Sequence, residues 1–358
     1  MNNNKDFSDL FIKYGTFAED DDDDELYINN GTEAVRFCTA TEASTNKKVI
    51  CKVFDPSALQ EEDKGEDSVQ ESRWYRQLSL LREALILNSL NHPAIVKFKG
   101  LDLYNTKIKF DDFNEKEYQP NPIIFLEYFK NKSIQSHIRS SHLNLPPVKR
   151  QICILGISAA LRFLHSQQIL HRSINPNSIW LDDNFYPKIF DFSTSREFDI
   201  KHDKPKTVLR DDAAYYQAPE LFVPNYSLYN EKVDVFALGR MIYLLVTGVE
   251  PFKLKTDPSK KLSPVYLKTK VIDGTFPVLP EGMSKEYKEL FEKCFSPNPS
   301  ERPTASFIFE VISKNKCFLI DGITSKQDLQ EIDNYIQSIE QFEKKNQVST
   351  NLFCVNFK

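Results

Sequence analysis

The sequence predicts an α+β protein with a small β-rich N-lobe and a larger α-helical C-lobe. Two observations carry this. Across residues 26–129 the apolar residues alternate, or run β-branched, in short pieces cut by turn residues. Beyond Phe129 they recur at helical spacing over long segments. No internal repeat crosses the two halves. Strands gathered ahead of helices mark an α+β arrangement rather than an alternating one. A length of 358 residues suits two medium domains or one two-lobed unit.

Taken in order, residues 1–25 are polar and end in seven consecutive acids, residues 19–25. Charges this dense repel one another and stay solvated, so a flexible acidic tail is expected, with a partner-binding acidic patch as the alternative. "ELYIN", "AVRFCTAT" and "KKVICKVFD" read as strands over residues 25–55. Residues 55–72 are an acid-rich insertion. "WYRQLSLLREALILNSLN" follows as a helix, with Leu78, Leu81, Leu85 and Ile86 at helical spacing. "AIVKFKGLDLY" and "PIIFLEYF" read as two further strands, with a loop near "NEKEYQPN" between them.

"VKRQICILGISAALRFLHSQQ" then predicts a long amphipathic helix. The stretch 169–195, "ILHRSINPNSIWLDDNFYPKIFDFSTS", reads as two strand-like pieces whose joining loops hold the polar residues. A long loop runs to about Gln217. "EKVDVFALGRMIYLLVTG" predicts a buried helix, "MSKEYKELFEKCF" and "TASFIFEVISKN" two more, and residues 326–346 a final one, expected to dock on the C-lobe, with a partner interface or coiled coil as the alternative. The expected organisation is a tail over 1–25, a two-lobed domain over 26–316 (N-lobe about 26–128, C-lobe about 129–316), and a helical extension over 317–358.

Composition excludes several classes. Lys and Arg total 46 against 51 Asp and Glu, a net charge of −5, which gives no electrostatic support to nucleic-acid binding. No apolar run approaches 18 residues, so no membrane span is expected. "MNNNKDFSDLFIKYG" has neither a basic n-region nor an apolar core, and the expected location is cytoplasmic. The six cysteines are scattered, with no CxxC pair and no histidines clustered near them. Neither a structural zinc site nor a disulfide framework is expected.

Several short motifs follow one another in a meaningful order. They are "VICK" ending at Lys52, Glu83 in "LREALILNSLNHPAIV", "FLEYF" at 125–129, "HRS" at 171–173, "DFS" at 191–193, "APE" at 218–220, "VDVFALG" with Asp234, and "NPSERPT" with Arg302. In this order and spacing they resemble the eukaryotic protein kinase superfamily over roughly residues 26–316. The phrasing of "LHSQQILHR" and "NFYPKI" is most similar to tyrosine-kinase-like serine/threonine kinases.

The resemblance implies ATP and Mg²⁺ as cofactors and assigns roles. Lys52, held by Glu83, pairs with the nucleotide phosphates. Asp191 holds Mg²⁺. "FLEYF" is the hinge, with Leu126 as gatekeeper and Glu127 and Tyr128 among the cofactor-binding positions. Leu87, Phe98, His171 and Phe192 match the regulatory spine, and Glu220, Asp234 and Arg302 match the C-lobe anchors. Arg172 in active relatives meets an activation-loop phosphate, with Thr194, Ser195 and Thr207 as candidate modified residues here. His92 and His171 occupy core positions of the family.

The departures concern chemistry. Kinase catalysis is positioning plus charge stabilisation. The aspartate that accepts the substrate proton is replaced by Ser173, and general-base catalysis is typically worth about 10²–10⁴-fold. The loop lysine that orients the γ-phosphate is replaced by Asn175. The asparagine for the second Mg²⁺ is replaced by Ser178, a shorter and poorer ligand for a hard cation. The threonine that joins base and lysine aligns with Ala213. The family's Gly-rich loop retains one glycine, Gly31. The alanine roofing the adenine is Ile50, and the leucine beneath it is Trp180. Added bulk on both sides is expected to fill the adenine slot, at a cost of about 1–3 kcal/mol per overpacked site. ATP binding is therefore expected to be weak or absent. The leading expectation is a pseudokinase with a scaffold or binding role and protein partners. The alternatives are a weakly active serine/threonine kinase and a non-catalytic nucleotide-sensing switch.

Overall fold

The computed structural model describes residues 17–19, 26–29, 34–42, 46–54, 79–102, 122–139, 142–197, 215–222, 229–251 and 264–355. Gly31, Leu78, Thr207, Ala213, the acids at 20–25, the 55–72 insertion and the loop at 114–121 lie outside these residues. The chain divides into two compact units. The first comprises Met1–Asn91, Val96–Phe129 and Phe192–Thr194, and the second His92–Ile95, Lys130–Asp191 and Ser195–Lys358.

The first unit is built on an antiparallel sheet. Strands β1 (Phe17–Glu19) and β2 (Leu26–Asn29) pair with the two ends of β3 (Ala34–Glu42), and β3 pairs with β4 (Lys47–Phe54). The order continues through β6 (Ile123–Glu127) to β5 (Phe98–Asp102). β1 lies inside the stretch expected to be a tail. Phe17 and Ala18 precede the acid run, and Phe17–Glu19 pair in register with Ala40–Glu42.

Side chains alternate between faces along each strand. One face gathers Ala40, Val49, Cys51, Val53, Ile123 and Phe125 into an apolar cluster, with Cys38 against it. The even positions of β4 put Ile50 and Lys52 on the opposite face, register partners of Leu126 and Ile124. Residues 79–89 form the helix α1, whose buried positions are Leu80, Glu83, Ala84, Ile86 and Leu87. The expected apolar face of Leu81 and Leu85 is only half-buried. The helix turns instead so that Glu83 can meet Lys52, because a buried lysine needs a carboxylate more than two leucines need full cover.

The second unit is mainly helical and carries a short antiparallel pair, β7 (Ile138–Arg139) and β8 (His142–Leu143). α2 (Pro147–Ser166) begins on a proline, which the first turn tolerates. It departs from the expected amphipathic pattern: residues 151–161 are buried without a break. The cause is packing on several sides, by α3 (Lys232–Thr247), α6 (Ala305–Lys314) and α7 (Lys326–Val355). α3 is buried as expected and stops at Gly248, whose φ of 70° is left-handed. α4 (Pro264–Ile272) is a helix outside the segments expected to be helical. Thr304 and Ser284 cap α6 and α5 (Lys285–Cys294) by accepting the N–H groups of Phe307 and Tyr287.

α7 docks along α2. Lys149 and Arg162 pair with Glu331 and Glu343, each at 2.5 Å, and the Tyr186 hydroxyl donates to Glu331 at 3.1 Å. Ile332, Tyr335 and Ile339 are buried. Tyr335 meets the Tyr186 ring edge-on and stands over Gly156, where a Cβ would collide with its hydroxyl and with Pro187. His92 stacks on Phe163, meets the edge of Phe342 and is buried, so it occupies a core position. No helix among the described residues is long and apolar enough to cross a membrane.

Candidate functional site

The candidate residues divide between the units. Ile50, Lys52, Glu83, Leu87, Phe98, Leu126, Glu127, Tyr128 and Phe192 belong to the first. His171, Arg172, Ser173, Asn175, Ser178, Trp180, Asp191, Glu220, Asp234 and Arg302 belong to the second. Gly31 lies outside the described residues.

In the first unit, Lys52 Nζ donates to both oxygens of Glu83, at 2.7 and 2.8 Å. Each residue is 1% exposed, so the pair is fully desolvated. Glu83 Oε1 also accepts the Phe192 N–H at 3.0 Å, which ties the DFS segment to α1. Ser79 adds a second tie by donating to the Ser193 carbonyl at 3.2 Å. Ile50 and Leu126 are register partners on the face that carries Lys52, and both are buried. At the end of β6, Glu127 accepts the Lys97 N–H at 2.7 Å through its side chain and donates its own N–H to the Lys97 carbonyl. Lys48 lies over the Tyr128 ring at 5.7 Å. Leu87 and Phe192 are buried, and Phe98 is half-buried opposite Leu126.

In the second unit, Asp234 is the anchor of the catalytic-loop segment. Its carboxylate accepts the N–H groups of His171 at 2.9 Å and Arg172 at 2.7 Å, and lies 3.1 Å from His165 Nε2. Burial alone would raise its pKa, but His165 and the His171 N–H hold it below the ordinary carboxylate value. This clamp explains how Arg172 keeps a left-handed backbone, φ 65°, which is costly for a residue with a side chain. His171 Nε2 lies 3.2 Å from the Phe190 carbonyl. Asp191 is also left-handed, φ 60°, a conformation that aspartate tolerates better than most.

The loop 173–178 closes on itself. Asn175 donates to the Ser173 carbonyl at 2.8 Å and to its hydroxyl at 3.3 Å, and accepts the Asn177 N–H at 2.9 Å. Ser178 Oγ accepts the Asn175 N–H and donates to the Asn175 carbonyl, both at 3.0 Å. The two residues that replace the phosphate-orienting lysine and the metal-binding asparagine thus stitch the turn together. Ser178 Oγ already uses its proton and one lone pair within the turn, which leaves it one lone pair and a shorter reach than an asparagine for a hard cation. Lys52 and Asp191 retain the residue types that a nucleotide phosphate and a single cation require.

Trp180 sits on β10 (Ile179–Leu181), paired with β11 (Pro187–Ile189). It is 4% exposed and stacks on Phe190, with ring centroids 4.6 Å apart. Its Nε1–H donates to the Asn177 carbonyl at 3.1 Å. A buried indole needs that acceptor, so the side chain is held in one orientation. Arg302 makes a bidentate pair with Glu220, at 2.6 and 2.9 Å, and donates through Nε to the Ser296 carbonyl at 2.9 Å.

Two contacts of the second unit are not legible in the sequence. The Arg172 guanidinium donates to the Tyr229 hydroxyl, a partner 57 residues away. Ser195, a candidate phosphorylation position, is 1% exposed, and its hydroxyl points at the His171 carbonyl at 3.4 Å. Its serine type was legible in sequence; its burial was not, because strand β12 (Arg196–Glu197), which pairs with β9 (Ile169–Leu170), draws it inward.

Comparison with known proteins agrees with this geometry. A family model described as protein kinase domain matches residues 30–312. Over 237 residues, 65% of this chain and 30% of the relative, the chain is 28% identical to the cell cycle serine/threonine-protein kinase CDC5/MSD2 of Saccharomyces cerevisiae. It is 28% identical over 265 residues to serine/threonine-protein kinase 12 of Arabidopsis thaliana, covering 72% of this chain and 49% of that one. It is also 28% identical over 232 residues to the mitogen-activated protein kinase kinase kinase mkh1 of Cytospora mali, covering 64% and 11%. The chain therefore spans about half or less of each relative's length. With the family model covering most of the chain, and with the Lys52–Glu83 and Glu220–Arg302 pairs formed, the chain belongs to the protein kinase domain family.

Proposed function

We propose that this chain is a protein-kinase-fold protein that does not transfer phosphate and acts by binding other proteins. The observation that carries the reading is the closed loop 173–178. Ser173 stands where the family places its proton acceptor, and a serine hydroxyl does not take a proton at neutral pH. Asn175 and Ser178 are spent on hydrogen bonds within the turn. Bulk at the family's two adenine-facing positions, Ile50 and Trp180, is a second support. Trp180 is pinned by Phe190 and the Asn177 carbonyl and does not swing aside without losing both. The architectural residues are kept while those for proton and metal chemistry are exchanged, as a scaffold requires.

A second reading, nucleotide binding without transfer, is favoured by one observation: the buried Lys52–Glu83 pair is intact and Asp191 follows the loop. One paired experiment separates the readings. ATP is added to the full chain with and without Mg²⁺ and the melting temperature is followed; phosphate transfer to a generic protein substrate is then measured. Neither stabilisation nor transfer is the expected result. Stabilisation without transfer favours the nucleotide switch. Transfer that disappears in Lys52→Ala or Asp191→Ala overturns the proposal.

A further inference from the structure

We propose that Cys38 and Cys51 form a reversible oxidation site, a cross-strand disulfide that closes the hairpin bearing Lys52. The two residues are register partners in the antiparallel β3–β4 pair. Directly opposed residues in such a pair have Cβ atoms about 4.5–5.5 Å apart. A disulfide needs about 3.5–4.5 Å and a Cα separation of about 4.4–6.8 Å, so closure asks for a small approach of two strands already hydrogen-bonded to each other. Both side chains lie on the same face: Cys51 belongs to the apolar cluster of the sheet and Cys38 packs against that cluster. Neither is in a disulfide in the structure.

Their exposures differ in the way such a site needs. Cys51 is 0% exposed, whereas Cys38 is half-buried. Cys38 is therefore the thiol that an oxidant reaches and Cys51 the one that resolves. With a peroxide as oxidant, the Cys38 sulfur attacks one peroxide oxygen, the O–O bond breaks, and Cys38 becomes a sulfenic acid as the other oxygen leaves as water. The Cys51 sulfur then attacks the Cys38 sulfur, the S–O bond breaks, and a second water departs with the Cys51 proton. Two thiols are oxidised by two electrons and one peroxide is reduced to two waters. The link lies one residue before Lys52 and fixes β4 to β3 there. It is independent of whether the chain transfers phosphate.

The test is peptide mapping of the full chain after treatment with hydrogen peroxide, with remaining thiols blocked and no reductant present. Trypsin releases Cys38 within 37–47 and Cys51 within 49–52. The expected result is a linked pair of these two peptides, two mass units lighter than their sum, lost on treatment with dithiothreitol. In Cys51→Ala, Cys38 is expected to be trapped by dimedone as a sulfenic acid. If Cys38 and Cys51 both stay fully alkylatable while the exposed Cys317 is oxidised, the proposal is overturned. It is equally overturned if Cys38 links only to Cys317 or Cys354, or oxidises onward in the wild type without linking to Cys51.

Discussion

Replacing Glu83 by leucine tests what the buried Lys52–Glu83 pair does. The two charges meet at 2.7 Å with 1% exposure each. At an effective dielectric of about 20 their attraction is about 6 kcal/mol, set against a desolvation cost of several kcal/mol per ion. The net worth of the pair is therefore small, while the cost of breaking it is large. Glu83→Leu leaves an ammonium with its main partner gone and the Phe192 N–H without its acceptor, and it is expected to cost about 3–5 kcal/mol. Lys52→Met together with Glu83→Leu removes both charges. It is expected to cost only about 1–3 kcal/mol, the share of the unpaired Phe192 N–H. The assay is urea unfolding of Glu83→Leu, Lys52→Met and the double variant, with hydrogen exchange across 47–54 and 79–89 to locate the loss. A Glu83→Leu cost below about 1 kcal/mol, or a double variant as unstable as the two singles added, refutes the reasoning.

Four further outcomes follow from named contacts. If the proposed exclusion of ATP rests on bulk at the two positions that face adenine in the family, Ile50→Ala with Trp180→Leu is expected to give an ATP-dependent rise in melting temperature that the parent lacks; its absence refutes steric exclusion. Asp234 has a depressed pKa in the folded chain, so its contribution is fully present above the ordinary carboxylate value of about 4 and is lost as pH falls through the lower folded value. Asp234→Asn is expected to lower stability at neutral pH and to flatten the acid limb below about pH 4, read from melting temperature against pH. Gly156→Ala drives a methyl into Tyr335 and Pro187 and is expected to cost about 1–3 kcal/mol, with faster hydrogen exchange across 326–346 as the helix loosens. Arg302→Lys keeps the charge but loses the bidentate geometry and the Ser296 bond, at an expected cost of about 2–4 kcal/mol in urea unfolding.

Some elements were legible early because their causes are local. The strand pieces at 26–54 and 123–127 follow from period-two alternation and β-branched residues, and the helices over α3, α5 and α6 from apolar spacing and capping residues. The errors have tertiary causes. α2 reads as amphipathic, yet the polar Gln151 and Ser158 are buried because neighbouring helices cover that side. Gln151 takes the Ile320 N–H and Ser158 donates to its own helix. α1 turns away from Leu81 and Leu85 because a lysine 31 residues away needs its glutamate.

By itself the sequence determined the residue types on which any chemistry of the chain must draw, serines at 173 and 178 among them, because side-chain type sets intrinsic proton affinity and ligand strength. It determined the family as well, since ordered motifs are a one-dimensional property. Only the tertiary structure decided what the exchanged residues do instead. Asn175 and Ser178 stitch a turn, Trp180 rests on Phe190, Arg172 takes the Tyr229 hydroxyl, and Cys38 faces Cys51. These contacts depend on strand register, backbone turns and the burial of neighbours, and distance in space is not written in distance along the chain.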